Sequence, residues 1–155
     1  MSVFALRFRL LLAGIAGLSV LGCTGSPVIV DSTSSADYSL GLVAHGGRSG
    51  EMTVEIHGQP FAQVVSKQAI ASTIPVPPWL GVRHLTTAPL PVTPRDYRVV
   101  LIFNPAERGG ARDACVARQP SVVAPAGGEL RVSAAYCAFD RSVAHLVARG
   151  PVRRD

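Results

Sequence analysis

The chain has 155 residues, with 15 Lys plus Arg against 10 Asp plus Glu, a formal net charge of +5. Two of the basic residues, Arg7 and Arg9, precede an apolar run, and without them the net charge is +3 (13 basic minus 10 acidic). This small excess forms no basic stripe with interleaved aromatic residues, so the sequence predicts no nucleic-acid partner. The length allows one domain with a single core and excludes a second.

The N-terminal segment has the composition of an export signal. Arg7 and Arg9 precede an apolar stretch over residues 10–20, which is shorter than the roughly 20 residues that span a bilayer. The stretch ends in Val20-Leu21-Gly22-Cys23. This tetrapeptide resembles the lipobox of bacterial lipoproteins, although Val and Leu replace the commoner residues at its first two positions.

The resemblance implies a cleaved signal peptide over residues 1–22 and a lipid-modified Cys23. The mature chain would then be anchored by acyl chains, with its domain in water. Thr24 follows the cysteine. An Asp at that position would resemble the signal that retains lipoproteins in the inner membrane. Since the residue is Thr and not Asp, the resemblance implies location in the outer membrane, with the domain facing the periplasm. The alternative is an ordinary secreted protein whose cysteine follows Gly22 by chance.

Composition divides the remainder into three parts. Residues 23–37 are small and polar, which predicts a flexible tether. Residues 38–150 are predicted to form the single globular domain, and residues 151–155 a basic tail.

The first half of the domain predicts a hairpin and one helix. A short apolar run over residues 39–44, a Gly-rich turn and the alternating segment of residues 52–57 indicate two paired strands. Pro60 then suits the first turn of a helix over residues 61–71. Six prolines between residues 73 and 94 predict a long irregular crossing, which Trp79 is expected to pin to the core.

The second half predicts strands. Tyr97–Phe103 is apolar on both faces over its second half, which favours a central position in the sheet. Residues 129–137 alternate, and residues 142–149 predict a final strand. The succession predicts an α+β fold: a small antiparallel sheet with one helix and the Pro-rich crossing loop. A β-sandwich is the alternative.

Once Cys23 is assigned to the anchor, Cys115 and Cys137 remain. An even pair in an exported domain favours a disulfide, which closes a loop of 22 residues. A metal site or a redox pair is the alternative, but the chain has no C-x-x-C motif.

Four histidines are spread over the chain without metal-binding spacing, so no cofactor is predicted. His45 and His57 are the weak metal candidates, because the predicted hairpin would bring them across from each other. The turn after His45 contains Ser49 between Gly47 and Glu51 and only partly resembles an esterase elbow.

The segment Gly58-Gln59-Pro60-Phe61, the strand from Tyr97 to Pro105 and the two later cysteines resemble small uncharacterised exported proteins of proteobacteria. This resemblance implies no particular activity.

The sequence therefore predicts a membrane-anchored envelope lipoprotein that acts as a structural or interaction module and is not an enzyme. Its expected partners are the membrane, through the lipid anchor, and an envelope protein. The alternative is a small periplasmic hydrolase or a ligand- or metal-binding protein, with its site among residues 45–49, His57 and the Pro-rich crossing.

Overall fold

The computed structural model describes residues 28–106, 110–116, 119–125 and 128–152. These residues form a sheet-rich fold with one six-stranded mixed sheet and short helices. In chain order the elements are β1 (Ile29–Ser34), α1 (Leu40–Gly46), β2 (Glu51–His57), α2 (Lys67–Thr73), β3 (His84–Thr86), β4 (Tyr97–Phe103), α3 (Gly110–Ala114), β5 (Glu129–Ala138) and β6 (Arg141–Pro151). Cys23 and the predicted signal peptide lie outside the described residues.

The strand order is β1-β6-β5-β4-β2-β3, so β4 is internal, as its two apolar faces predict. The sheet is mixed, however, so the prediction of an antiparallel sheet is wrong for the half that contains β2 and β3. β2 pairs with both β3 and β4 in parallel, whereas β1, β6, β5 and β4 pair antiparallel. The parallel half follows from the connection, because α2 and the Pro-rich segment carry the chain back to the end at which β2 begins.

The predicted hairpin is wrong, because residues 40–46 form α1 and no strand. The Ser39 side chain caps this helix, its hydroxyl accepting a hydrogen bond from the Leu42 N–H at 3.2 Å. Val43 is then buried in the core beneath it. Three large apolar residues within four positions, Leu40, Leu42 and Val43, suit a short helix as well as a strand, so the pattern did not separate the two.

The predicted helix over residues 61–71 begins later, as α2 at Lys67. Ser66 is its cap, with its hydroxyl accepting from the Ala69 N–H at 3.2 Å. The preceding loop is held by Gln59, whose side-chain oxygen accepts from the Val65 N–H at 3.0 Å. With α1, α2 and α3 among the described residues, the expectation of one helix is not met.

The predicted tether of residues 23–37 contains a strand. β1 pairs with β6 from Ile29 opposite Arg149 to Ser34 opposite Ala144. All six β1 residues are exposed, which explains why composition suggested a linker: β1 contributes backbone hydrogen bonds and little burial. The described part of the predicted tether is therefore a strand from Ile29, and at the other terminus β6 extends to Pro151.

Side chains on the two faces of the sheet build two cores. One core lies beneath α1, α2 and the Pro-rich crossing and includes Val54, Ile56, Leu101, Phe103 and Val143. The other lies beneath α3 and consists of Val100, Ile102, Ala114, Cys115, Ala135 and Cys137. Val100 and Ile102 are fully buried, which is the expected result for the strand with two apolar faces.

The strand register also defines two ends of the sheet. The first, called the Ile29 end, contains one row of residues across three strands and the residue that follows β4: Ile29, Arg149, Arg131 and Asn104. The second, called the Phe139 end, contains Phe139 in the β5–β6 turn and the adjacent row of Tyr97, Ala138 and Arg141. A seven-residue strand such as β4 separates the two ends by about 20 Å.

Candidate functional site

The predicted disulfide between Cys115 and Cys137 is present, with Cα atoms 5.5 Å apart. It joins α3 to β5 beneath the second core, and both cysteines are buried. The bridge thus connects the loop after β4 to the strand that leads into the Phe139 end.

His45 lies in the last turn of α1 at the Phe139 end. Its ring packs edge-on against Tyr97, with centroids 5.1 Å apart. Its Nε2 lies 2.7 Å from Nη1 of Arg48, which can donate a hydrogen bond to it. The imidazole ring therefore already contacts the Tyr97 ring, and its Nε2 atom already contacts the Arg48 guanidinium.

His57 is the last residue of β2, at the Ile29 end. It pairs with Ile102, whereas His45 contacts Tyr97 at the other end of the same strand, about 17 Å away along β4. The structure does not bring the two metal candidates together. Among the described residues, no group of three or more His, Cys, Asp or Glu side chains could hold a metal ion.

His57 instead borders an open cleft of about 560 Å³ along β2. This cleft is lined by charged or ionisable side chains from β2, α2, β4 and the two residues before β4: Glu55, His57, Lys67, Arg95, Asp96 and Arg98. The His57 Nε2 atom is buried and has no hydrogen-bond partner among the residues that the structure describes. Burial first, and then the nearby Lys67 charge, lower the pKa of His57, so the ring is neutral at pH 7.

Arg98 connects this cleft to the Phe139 end. Its Nε lies 3.0 Å from a carboxylate oxygen of Glu55 on β2. Its Nη1 donates to the Phe139 carbonyl and its Nη2 to the Cys115 carbonyl, both at 2.9 Å. One largely buried guanidinium therefore holds together a strand, the β5–β6 turn and the disulfide-bearing loop.

Ser49, the residue of the esterase-like turn, has no catalytic setting. Since Thr93 donates its own proton to the Glu51 carboxylate, the Ser49 hydroxyl donates to the Thr93 hydroxyl at 3.0 Å, with the Glu51 carbonyl as a second acceptor at 3.2 Å. A nucleophilic serine needs a base such as histidine within about 3 Å. These contacts instead attach the turn to the Pro-rich crossing.

The buried Glu51 carboxylate holds the same crossing. Its Oε1 accepts hydrogen bonds from the Thr93 hydroxyl at 2.5 Å and the Leu90 N–H at 2.6 Å. These two hydrogen bonds lower the pKa of Glu51, with smaller contributions from the nearby His84 and Arg83 charges. Glu51, the first residue of β2, thus fixes the Pro-rich crossing to the sheet through its carboxylate.

Aromatic side chains gather at the Phe139 end, which sequence patterning did not predict. Tyr97 packs edge-on against Phe139 with centroids 5.4 Å apart, while the Tyr136 hydroxyl donates to the Leu42 carbonyl at 3.1 Å. Burial, followed by the proximity of Tyr97 and Tyr38, raises the pKa of Tyr136. All three tyrosines of the chain therefore lie in this group.

Phe139 has both an exposed ring and an unfavourable backbone. Its φ is +59°, in the left-handed region that bulky residues rarely adopt, and 58% of the residue is exposed. The turn is held by the Phe139 N–H, which donates to the Asp96 carbonyl at 2.7 Å, and by Arg98 from the other side. Since the exposed ring contributes little burial, packing alone does not account for this conformation.

Other large apolar side chains are exposed at this end. Tyr38 and Leu40 flank the start of α1, and Trp79 lies in a short 3₁₀ turn that contacts α1. Trp79 is 67% exposed, so the prediction that it pins the crossing to the core is wrong. A cleft of about 470 Å³ beside Phe139, bordered by Asp37 and Arg141, completes the surface.

Comparison with known proteins assigns no family: no protein-family model, curated protein or solved structure matches the chain. None of the helices in the described part of the chain has the length and apolar character needed to cross a bilayer.

Proposed function

We propose that the protein is a lipid-anchored lipoprotein of the cell envelope, held in the outer membrane, that binds a protein partner through its Phe139 end and is not an enzyme. The address rests on the lipobox-like sequence at Cys23 and on the even cysteine pair, which suits an oxidising compartment. The interaction role rests on the geometry of the Phe139 end.

The single observation that carries the interaction role is the Phe139 conformation. A left-handed backbone costs a non-glycine residue about 1–2 kcal/mol. Glycine is the usual residue at such a turn position, so a phenylalanine with an exposed ring points to a use for that ring outside the domain. Exposed aromatic side chains such as Phe139 and Trp79 are the common anchors of protein–protein interfaces.

Photo-crosslinking tests this role. Benzoylphenylalanine placed at position 139 of the full chain should crosslink to one defined envelope protein in cells. The same residue placed at Val64, which is also exposed but lies in the loop after β2 at the Ile29 end, is the matched control. Identical products from the two positions, or no product from position 139, would remove the proposed interface.

Metabolic labelling with palmitate tests the anchor. The wild-type chain should incorporate the label and sediment with membranes, and the Cys23→Ser variant should do neither. If the two fractionate identically and neither is labelled, the lipoprotein assignment is wrong. Turnover of esters, phosphoesters or peptidoglycan by the purified mature protein would overturn the non-enzymatic assignment.

Ligand binding in the cleft beside His57 is the second candidate. It is favoured by the unpartnered His57 Nε2 atom and by the charged lining from Lys67 and Arg95. A screen of small carboxylates and phosphates should then find one that raises the melting temperature of the wild type and leaves that of His57→Gln unchanged. The matched control is His145→Gln on β6, which should respond like the wild type.

A further inference from the structure

The position of β1 limits how far the domain can move from an anchored Cys23. Ile29, the first residue of β1, follows Cys23 by six residues. Six residues span at most about 20 Å when fully extended. β1 is itself held along its whole length against β6. If Cys23 carries the acyl chains, as the proposed function requires, the Ile29 end lies within about 20 Å of the bilayer surface.

The Ile29 end carries exposed apolar side chains that no described residue covers. Val28, Ile29 and Val30 are each more than half exposed at the start of β1. Two loops beyond the strands add further exposed residues to the same end: Phe61, Val64, Val122 and Val123.

Hydrogen bonds fix both loops to this end of the sheet. Asn104, directly after β4, donates through its side-chain amide to the Gln59 carbonyl at 2.9 Å. The Asn104 carbonyl accepts from the Val123 N–H, also at 2.9 Å. The loop of residues 58–66 and the segment of residues 121–125 are therefore attached at the row that contains Ile29.

Charge at this end is balanced among the described residues. Arg131 and Arg149 lie in the Ile29 row, and Glu129 and Asp31 are the nearby acids on β5 and β1. The exposed apolar side chains therefore carry the argument for this surface, and the two arginines can contact lipid phosphates at its edge.

We infer that the Ile29 end docks on the membrane. Its aliphatic side chains lie at the boundary between headgroups and acyl chains, and its arginines face the lipid phosphates. The lipid anchor makes this contact effectively intramolecular, so a small apolar patch suffices to hold the domain upright. The Phe139 end is thereby presented about 20 Å further from the bilayer.

Tryptophan fluorescence tests the orientation, because Trp79 is the only tryptophan of the chain. The acylated mature protein is reconstituted into vesicles of phosphatidylethanolamine and phosphatidylglycerol with brominated acyl chains, which quench indoles that reach them. Trp79, on the 3₁₀ turn near the Phe139 end, should be unquenched. In a Trp79→Phe background, Val64→Trp and Val123→Trp should each be quenched several-fold more strongly.

Val64 is 87% exposed, so its replacement leaves the core intact, and the melting temperature of each variant confirms folding. Equal quenching of Trp79 and the two reporters would mean that the domain lies on its side, and it would overturn the inference. Unquenched reporters on a vesicle-bound, acylated protein would also overturn it; this includes the case in which a second copy covers the Ile29 end. Mass spectrometry that finds no acyl chain on Cys23 would instead remove the proposed function and the inference together.

Discussion

The Ile29 end and the Phe139 end each contain one non-glycine residue with a left-handed backbone, and the two differ in purpose. Asn104, with φ of +51°, is buried, and its side chain binds the Gln59 carbonyl. Phe139, with φ of +59°, places its ring mostly in solvent. Asparagine tolerates this region well and phenylalanine poorly. The comparison teaches that the left-handed backbone at Asn104 is matched by a contact within the fold, whereas the one at Phe139 is not matched by burial of its ring and is what the proposed interface accounts for.

The exposed apolar residues of the two ends differ in the same way. Those of the Ile29 end are mainly aliphatic, which suits a surface that buries methyl groups without geometric requirements. Those of the Phe139 end are mainly aromatic, with rings that can anchor in pockets of a partner protein. Four sets of variants test this division, and they follow in order of decreasing effect on stability.

Removing the disulfide should have the largest effect and should act on one end. Cys115→Ala combined with Cys137→Ala opens the 22-residue loop and should lower the free energy of unfolding by about 3 kcal/mol. Hydrogen exchange should increase in α3 and the β5–β6 turn and change little in β1. Equal loss of protection at both ends would show that the ends are not independent.

Arg98→Met should cost about 2 kcal/mol, because it leaves the Phe139 and Cys115 carbonyls without their charged donor. The matched control is Arg131→Met in the Ile29 row, because among the described residues its hydrogen bonds are made by its backbone and not by its guanidinium. We expect that change to cost less than about 0.5 kcal/mol. Chemical denaturation measures both, and similar costs would contradict the role assigned to Arg98.

Glu51→Gln should lower the free energy of unfolding by about 1.5 kcal/mol at pH 7, because it weakens charge-assisted hydrogen bonds from Thr93 and Leu90. The folded-state pKa of Glu51 is lowered from 4.5, so its contribution is fully present above about pH 4.5 and is lost as the pH falls through the folded pKa.

Melting temperatures of wild type and Glu51→Gln should therefore differ at pH 7 and converge in acid. The exposed Glu129→Gln is the control, and it should follow the wild type throughout. A constant difference between wild type and Glu51→Gln at all pH values would show that Glu51 acts through packing and not through its charge.

Phe139→Gly should raise the free energy of unfolding by about 1 kcal/mol, because it relieves the left-handed conformation and removes little burial. The same variant should lose the partner that is crosslinked at position 139. Asn104→Gly is the matched change at the other end, and it should destabilise the protein because hydrogen bonds to Gln59 and Arg131 are lost. If Phe139→Gly were less stable than the wild type and still bound the partner, the contrast drawn between Phe139 and Asn104 would be wrong.

Sequence patterning predicted those strands in which the arrangement of apolar residues itself indicates burial. Tyr97–Phe103 is internal because it is apolar on both faces, and the strands around residues 129–137 and 142–149 also form. The disulfide followed from the cysteine count. In each case the deciding property belongs to the segment itself.

The remaining features depend on partners elsewhere in the chain. β1 buries none of its side chains, so only its pairing with β6 makes it a strand. The parallel pairing of β2 depends on the path of the crossing, and α1 depends on the Ser39 cap and a core beneath it. The aromatic group at the Phe139 end joins residues up to 101 positions apart, from Tyr38 to Phe139, which no local pattern can indicate.

The pairing of β1 with β6 also sets the order of events during biogenesis. Ile29 cannot reach its partner Arg149 until 120 further residues have been synthesised. Until then, the start of the chain presents an unpaired strand whose first residues are apolar, and closing so long a loop is slow. β1, the first strand in sequence, is thus the last strand that can pair. It stays without its partner while the other strands assemble around the β4–β5 pair.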